Sequence, residues 1–223
     1  MKVEILSYTN DPVASVEKAA CVCYDSQPTE DGRIMKACIK SGHSSVVEHA
    51  SFEFEISGVS RALLAQLTRH RLASYSVRSQ RYVAEDNFSY VTPPSIKNNP
   101  DQLVTYDFMM KKLGEAYQAL VSAGIPKEDA RMLLPNACET KIVMTMNARE
   151  LINFCHERMC SRAQWEIREL AVKMKEKVQE IAPEIAEFMV PKCEVYEIPF
   201  CPERKSCGRH KSLKEIVKDE QSE

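Results

Sequence analysis

The chain has 223 residues, 44% of them hydrophobic and 28% charged, with a formal net charge of −2. That much apolar material supports a domain with a substantial core and excludes a disordered chain. The balance of 30 basic against 32 acidic residues argues against a general nucleic-acid binder, which carries a clear basic excess.

Residues 2–8 alternate well enough for a first strand. Asp11-Pro12 then opens a helix to about Tyr24, with Asp11 as N-cap and Pro12 at the first helical position. A second helix is expected over 32–41. The run Ser-Phe-Glu-Phe-Glu-Ile-Ser inside 48–58 gives a period-two strand. Residues 60–69 read as a helix that delivers Arg69, and 87–91 as a short strand closed by Pro93-Pro94. A long amphipathic helix follows at 101–123, a shorter one at 126–134, and a strand at 140–146. From Ala148 the helical pattern runs to about Met189, broken near Cys160-Ser161 and ended or kinked at Pro183. Strands separated by helices, with no repeat or linker, predict an α+β single domain, an antiparallel or mixed sheet packed by helices.

No apolar run approaches membrane-spanning length, and Met1-Lys2-Val3-Glu4-Ile5 lacks a signal-peptide pattern. The expectation is a soluble, cytoplasmic protein with no membrane association. Nine cysteines, with Cys21, Cys23, Cys38, Cys155 and Cys160 in apolar periodic segments, read as reduced core thiols. Only six glycines are present and no glycine-rich phosphate loop, so any nucleotide must be held by arginine side chains.

Residues 69–82 concentrate the basic charge: Arg69, Arg71, Arg78 and Arg81 with His70, Tyr75, Tyr82 and several hydroxyls. Guanidinium forks suit phosphates and carboxylates. Gln66 and Arg69, three apart, can read a pyrimidine edge and hold phosphate, or merely end a helix with a favourable cation. His43-Ser44-Ser45-Val46-Val47-Glu48-His49 offers two histidines, but six apart they do not share a helix face, and a polar-capped connection explains them as well. Asn147, Arg149 and Asn153 can bind a heterocycle and its phosphates, or cap and line an ordinary helix. Arg158 points off that stripe. Arg131 alone reads as a surface helix arginine. In the tail, Cys193, Cys201, Cys207 and His210 could make a zinc site, but the gaps between the cysteines are wider than in a usual knuckle, and no metal is assigned.

The spacing Arg69-His70-Arg71, seven residues, Ser79, then Arg81-Tyr82 resembles the signature of the flavin-dependent thymidylate synthases. His43-x-Ser45-x-x-Glu48-His49 and Asn147-Ala148-Arg149 with Asn153, Arg158 and Ala163-Gln164-Trp165 resemble two further blocks of that family. The resemblance runs from about residue 40 to 170. It implies a thymidylate-synthase-complementing-protein-like fold over 1–192, with 193–223 a cysteine-bearing tail of no assigned role. It implies FAD contacts at His43, Ser45, Arg69, His70, Arg71, Asn147, Arg149 and Asn153. It implies dUMP contacts at Gln66, Arg69, Ser79, Gln80, Arg81, Arg131 and Arg158, with Arg158 catalytic against the uracil ring. The implied reaction is reductive methylation of dUMP to dTMP, with 5,10-methylenetetrahydrofolate as one-carbon donor and NADPH as reductant, in a homotetramer whose sites lie at subunit interfaces. Val77, Ser76 and Arg162 depart from residues common in the family. The rival reading is an RNA-binding module built on residues 69–82, where arginines and tyrosines would hold phosphates and stack bases.

Overall fold

The computed structural model describes residues 1–23, 25–29, 31–82 and 88–220. Strand β1 (Lys2–Tyr8) leads to helix α1 (Pro12–Val22). Asp11 caps α1 as expected, its carboxylate accepting from the Ala14 N–H at 3.0 Å. The expected end of this helix, Tyr24, lies outside the described residues. Helix α2 (Arg33–Lys40) starts on Gly32 at φ 70°, where a Cβ would stand 3.0 Å from a Val13 methyl, so only glycine fits cheaply.

A 3₁₀ turn (Ser44–His49) precedes β2 (Ser51–Ser60), which is followed by α3 (Arg61–Leu67), β3 (Ala73–Val77) and short α4 (Pro94–Lys97). The long α5 (Pro100–Ser122), short α6 (Lys127–Ala130) and β4 (Glu139–Asn147) come next. The rest is helical: α7 (Ala148–Arg158), α8 (Trp165–Gln179), short α9 (Pro183–Ala186) and α10 (Leu213–Glu220). Pro183 begins a helix rather than kinking one, because its missing N–H costs nothing at the first helical turn. The start of the expected 87–91 strand, Asn87, lies outside the described residues; beyond it, Tyr90 makes an isolated antiparallel bridge to Cys138.

The sheet order is β1-β2-β4-β3. Thr9 bonds Ser51 while Ser7 bonds Glu53, so β1 and β2 run antiparallel. The pairs Ala148–Ala50 and Arg61–Cys138 show the same falling register at the two ends of β2 and β4. β2 buries Phe52, Phe54 and Ile56 and turns its glutamates out, the alternation that made it legible.

The chain resolves into two compact units: Met1–Lys2, Glu55–Arg69 and Tyr75–Val143 form the first, and Val3–Phe54, His70–Ser74 and Met144–Glu223 the second. Strands β2, β3 and β4 each begin in one unit and end in the other. In the first unit Phe88, Met110 and Cys138 are buried under Tyr90, Tyr106 and Leu113. In the second, Val16, Phe154, Ile167, Leu170 and Met174 are fully buried. Helix α5 is less amphipathic than its sequence suggests. It buries only Met110 and Tyr117 and leaves Val104 71% and Phe108 57% exposed.

Candidate active site

Glu150 organises the second unit. Asn147 caps α7, its side-chain oxygen accepting from the Glu150 N–H at 2.9 Å. Glu150 is therefore the third residue of the helix, where a glutamate ordinarily reaches back to the cap. Here its carboxylate turns instead to His70, accepting from Nδ1 at 2.9 Å, and also takes the Asn153 amide at 3.3 Å. Both partners of the His70–Glu150 pair are buried, and the Phe154 ring packs edge-on against the imidazole with centroids 4.9 Å apart.

The other imidazole nitrogen is also committed. Arg158 Nε donates to His70 Nε2 at 3.0 Å. A guanidinium N–H can only donate, so Nε2 must accept, and the ring proton sits on Nδ1 facing Glu150. The result is a carboxylate–imidazole–guanidinium relay from a buried anion to a half-buried cation. Arg158 keeps its two terminal nitrogens, which make no hydrogen bond among the described residues.

His43 and Ser45 are exposed at the 3₁₀ turn that precedes β2. That turn is tied to α7, because Glu48 pairs with Arg149 and the Ala148 N–H bonds the Ala50 carbonyl. Asn153 and Arg71 are exposed in the same unit. The structure thus gathers His43, Ser45, His70, Arg71, Asn147, Arg149, Asn153 and Arg158 in the second unit.

The first unit holds the remaining candidates, Gln66, Arg69, Ser79, Gln80, Arg81 and Arg131. Helix α3 ends at Leu67 with Thr68 as its C-cap, so Arg69 stands beyond the helix and not on a face shared with Gln66. Arg81 pairs with Glu128 at 2.7 Å, and Arg131 Nε donates to the Glu128 carbonyl at 3.1 Å, so two phosphate-type arginines meet at one residue. Ser79 Oγ accepts from the Arg81 N–H at 3.2 Å. Gln80 is buried and its amide donates to Cys138 Sγ at 3.3 Å, which turns that side chain inward. Neither Glu150 nor Glu128 stands out in the sequence, since each occupies an ordinary first-turn position for an acid.

A family profile described as thymidylate synthase complementing protein matches residues 4–184. The chain belongs to this family. It is 44% identical over 232 residues to the flavin-dependent thymidylate synthase of Geobacter sulfurreducens, covering 98% of this chain and 99% of that protein. The Clostridium tetani flavin-dependent thymidylate synthase is 40% identical over 243 residues, covering 97% and 96%. Among solved structures, a Helicobacter pylori flavin-dependent thymidylate synthase complexed with FAD and dUMP matches with a TM-score of 0.70 at 27% identity, covering 85% of this chain and 100% of that one.

Membership of the thymidylate synthase complementing protein family replaces the RNA-binding reading. Two of its residues are also otherwise engaged, Arg81 with Glu128 and the Tyr75 hydroxyl with the Leu67 carbonyl. Among the described residues no helix is long and apolar enough to cross a membrane.

Proposed function

We propose that this chain converts dUMP to dTMP by reductive methylation, with FAD as cofactor, 5,10-methylenetetrahydrofolate as one-carbon donor and NADPH as reductant. The family match over residues 4–184 carries the reading, because every residue given a role below falls inside it. The reaction balances: dUMP, methylenetetrahydrofolate, NADPH and a proton give dTMP, tetrahydrofolate and NADP⁺.

The second unit fits a flavin dinucleotide by the chemistry of its donors. Arg71 and Arg149 supply cations, Ser45 a hydroxyl, and His43, Asn147 and Asn153 ring-edge donors and acceptors, as a chain without a glycine-rich loop requires. Those residues, with Arg69, would hold FAD, which supplies the electrons for the reduction when bound; His70, buried with both ring nitrogens committed, has no ring nitrogen left to offer it.

Pyrimidine C5 is a poor nucleophile until negative charge builds on the ring. Arg158 stabilises that charge with the terminal nitrogens left open by its bond to His70. His70 and Glu150 are positioning residues for Arg158. Arg69, Arg81 and Arg131 hold the 5′-phosphate, Gln66 reads the base edge, and Ser79 lines the site, whereas the Gln80 side chain is turned inward onto Cys138 and away from this role. Ser79 acts as a hydrogen-bonding group, not a nucleophile, because among the described residues its Oγ meets a backbone N–H and no base.

The enzyme works in the cytoplasm as a homotetramer with sites at subunit interfaces. The open face of α5, with Val104, Phe108 and Met109 exposed, supports self-association. Residues 193–223 form an appended tail beyond the catalytic domain of residues 1–192. The test is direct: purified protein should carry or take up FAD, bleach with NADPH, and form dTMP only when dUMP and methylenetetrahydrofolate are both present. A protein that takes up no flavin, or forms no dTMP with flavin bound, overturns the assignment.

A further inference from the structure

The segment from Cys193 to Ser212 has little regular structure of its own beyond the 3₁₀ turn Lys192–Glu194, yet it is folded back on the end of α7. Its only buried side chains are Cys193 and Cys201; Val195, Tyr196 and Ile198 are exposed. A stretch this poor in apolar burial needs something other than a hydrophobic core to order it. Part of that is electrostatic: Lys192 pairs with Glu157 and Glu203, and Arg162 donates to the Lys205 carbonyl at 3.0 Å. What those ion pairs surround is a narrow cavity with room for about one water-sized sphere, lined by Cys160, Cys193, Cys201, Cys207 and His210.

Four thiols and an imidazole on so small a space are a soft donor set. None of these cysteines is in a disulfide. The ligating atoms of Cys193, Glu194 and His210 lie within 4.8 Å of one another. Glu194 is not among the residues lining the cavity, and it is already engaged by Arg209 at 3.3 Å and by His210 Nε2 at 3.4 Å. That leaves His210 Nδ1 for the cavity, with Glu194 holding the ring from behind as carboxylates do for metal-bound histidines. Cys207 and His210 stand three residues apart on a preformed turn. Ser206 Oγ donates to the His210 carbonyl at 2.6 Å and accepts from Gly208 N–H at 3.0 Å, and Gly208 at φ 93° takes a conformation that a side chain would strain. This supplies the tight turn that the wide Cys193–Cys201 and Cys201–Cys207 gaps do not. Carboxylate-preferring cations such as magnesium are disfavoured by sulfur ligands, whereas zinc takes four-coordinate Cys₃His sites.

We propose that Cys193, Cys207 and His210, with one of Cys160 and Cys201, bind a structural zinc ion that fastens the tail to the end of α7. Each thiol gives its proton to solvent on binding. The residues Cys193 to His210 lie beyond the family match, which ends at residue 184. The site is independent of the flavin and dUMP roles assigned above.

The test uses the full-length protein purified under reducing conditions, stripped with chelator and titrated with zinc, with bound metal measured by elemental analysis. One zinc per chain is expected, with intense near-ultraviolet thiolate charge transfer when cobalt replaces it. Cys207→Ser, at an exposed position, and His210→Ala, at a half-buried one, should each lower zinc affinity at least 100-fold. Glu194→Gln should lower affinity about 10- to 100-fold without changing the stoichiometry. Cys23→Ser, on an exposed thiol outside the cluster, should leave zinc binding unchanged. Zinc should also shield Cys207 from alkylation while leaving Cys23 reactive. Substoichiometric zinc in the unmodified protein, full binding by both Cys207→Ser and His210→Ala, or a disulfide among the four cysteines would each overturn the proposal.

Discussion

What orients Arg158 is an imidazole rather than a carboxylate. A direct pair with Glu150 would hold the guanidinium equally well but would neutralise the charge it is meant to offer a uracil ring. With His70 between them, the anion fixes the imidazole, the imidazole fixes Nε, and the cation stays uncompensated at its terminal nitrogens. Arg158→Ala should therefore lower kcat by about 100- to 1000-fold, the usual cost of one preorganised donor, with FAD binding intact. Arg158→Lys should not restore it, since a lysine cannot spend one N–H on His70 and still present a planar fork. Glu150→Gln keeps the helix cap, which uses the Glu150 backbone, yet should reduce kcat about tenfold with KM for dUMP little changed. Near-normal kcat in that variant would remove the positioning role. Arg81 belongs to a different kind of pair. It is half-exposed against Glu128, so the pair is worth ~1 kcal/mol or less and is cheaply exchanged for a phosphate. Arg81→Ala should raise the KM for dUMP about 10- to 100-fold, the worth of a charge-assisted hydrogen bond, while Glu128→Gln shifts it less than about fivefold. Steady-state kinetics on the two variants separates them. An Arg81→Ala enzyme with unchanged KM would take this arginine out of the phosphate site.

The elements legible in the sequence were those whose apolar period matches a buried face. β2 alternates phenylalanines with glutamates and is legible in the sequence; β3, at the far edge of the same sheet, is not. Ala73–Val77 is an edge strand with neither face fully buried, so its serines and tyrosine show no contrast to detect. The stop at Leu67 is not legible because Thr68 and Arg69 are tolerable helix residues; the Thr68 hydroxyl bond back to Leu64 and the tightened Arg69-to-Gln66 turn mark the end. At the site, arginine and histidine types were legible, but the acids that pair with them were not, because pairing across 80 residues leaves no local trace. Glu17 on α1 is another such acid. Fully buried, it accepts from the Thr29 N–H at 2.9 Å, the Thr29 hydroxyl at 2.7 Å and the Met35 N–H at 2.7 Å, stapling the α1–α2 connection to the helix. A glutamine there must turn an N–H₂ toward one of these donors. Glu17→Gln is expected to cost about 2 kcal/mol, read as a lowered urea midpoint at neutral pH. A midpoint within error of the unmodified protein would show that the staple contributes nothing net.

Across the whole molecule the buried ionisable groups set a direction for its response to pH. Burial alone would raise the Glu17 carboxyl, but the Met35 and Thr29 hydrogen bonds outweigh it and hold the group below its ordinary 4.5. Burial pushes His156 below its ordinary 6.5, partly offset by the bond from Nε2 to the Phe188 carbonyl, which favours the charged ring. Both shifts have the same sign: the folded chain binds these protons less readily than the unfolded chain, so stability rises with pH through each window. The His156 contribution is complete above about 6.5 and is lost as pH falls through its lower folded-state value; that of Glu17 is complete above about 4.5 and is lost below it. Urea midpoints measured from pH 7.5 to pH 3.5 should therefore fall in two stages rather than one. The first stage should flatten in His156→Gln, whose amide can still donate to Phe188 but does not titrate, and the second in Glu17→Gln. Cys155 adds nothing at the acid end, because desolvation raises it to about 12 and keeps it a neutral thiol throughout. Nor are all of the thiols core residues, as their apolar sequence neighbours suggested, since Cys23 is exposed past the end of α1. A midpoint that stays flat from pH 6.5 to 4.5 in the unmodified protein, or falls there equally in His156→Gln, would mean that His156 is not the group whose protonation first opens the fold.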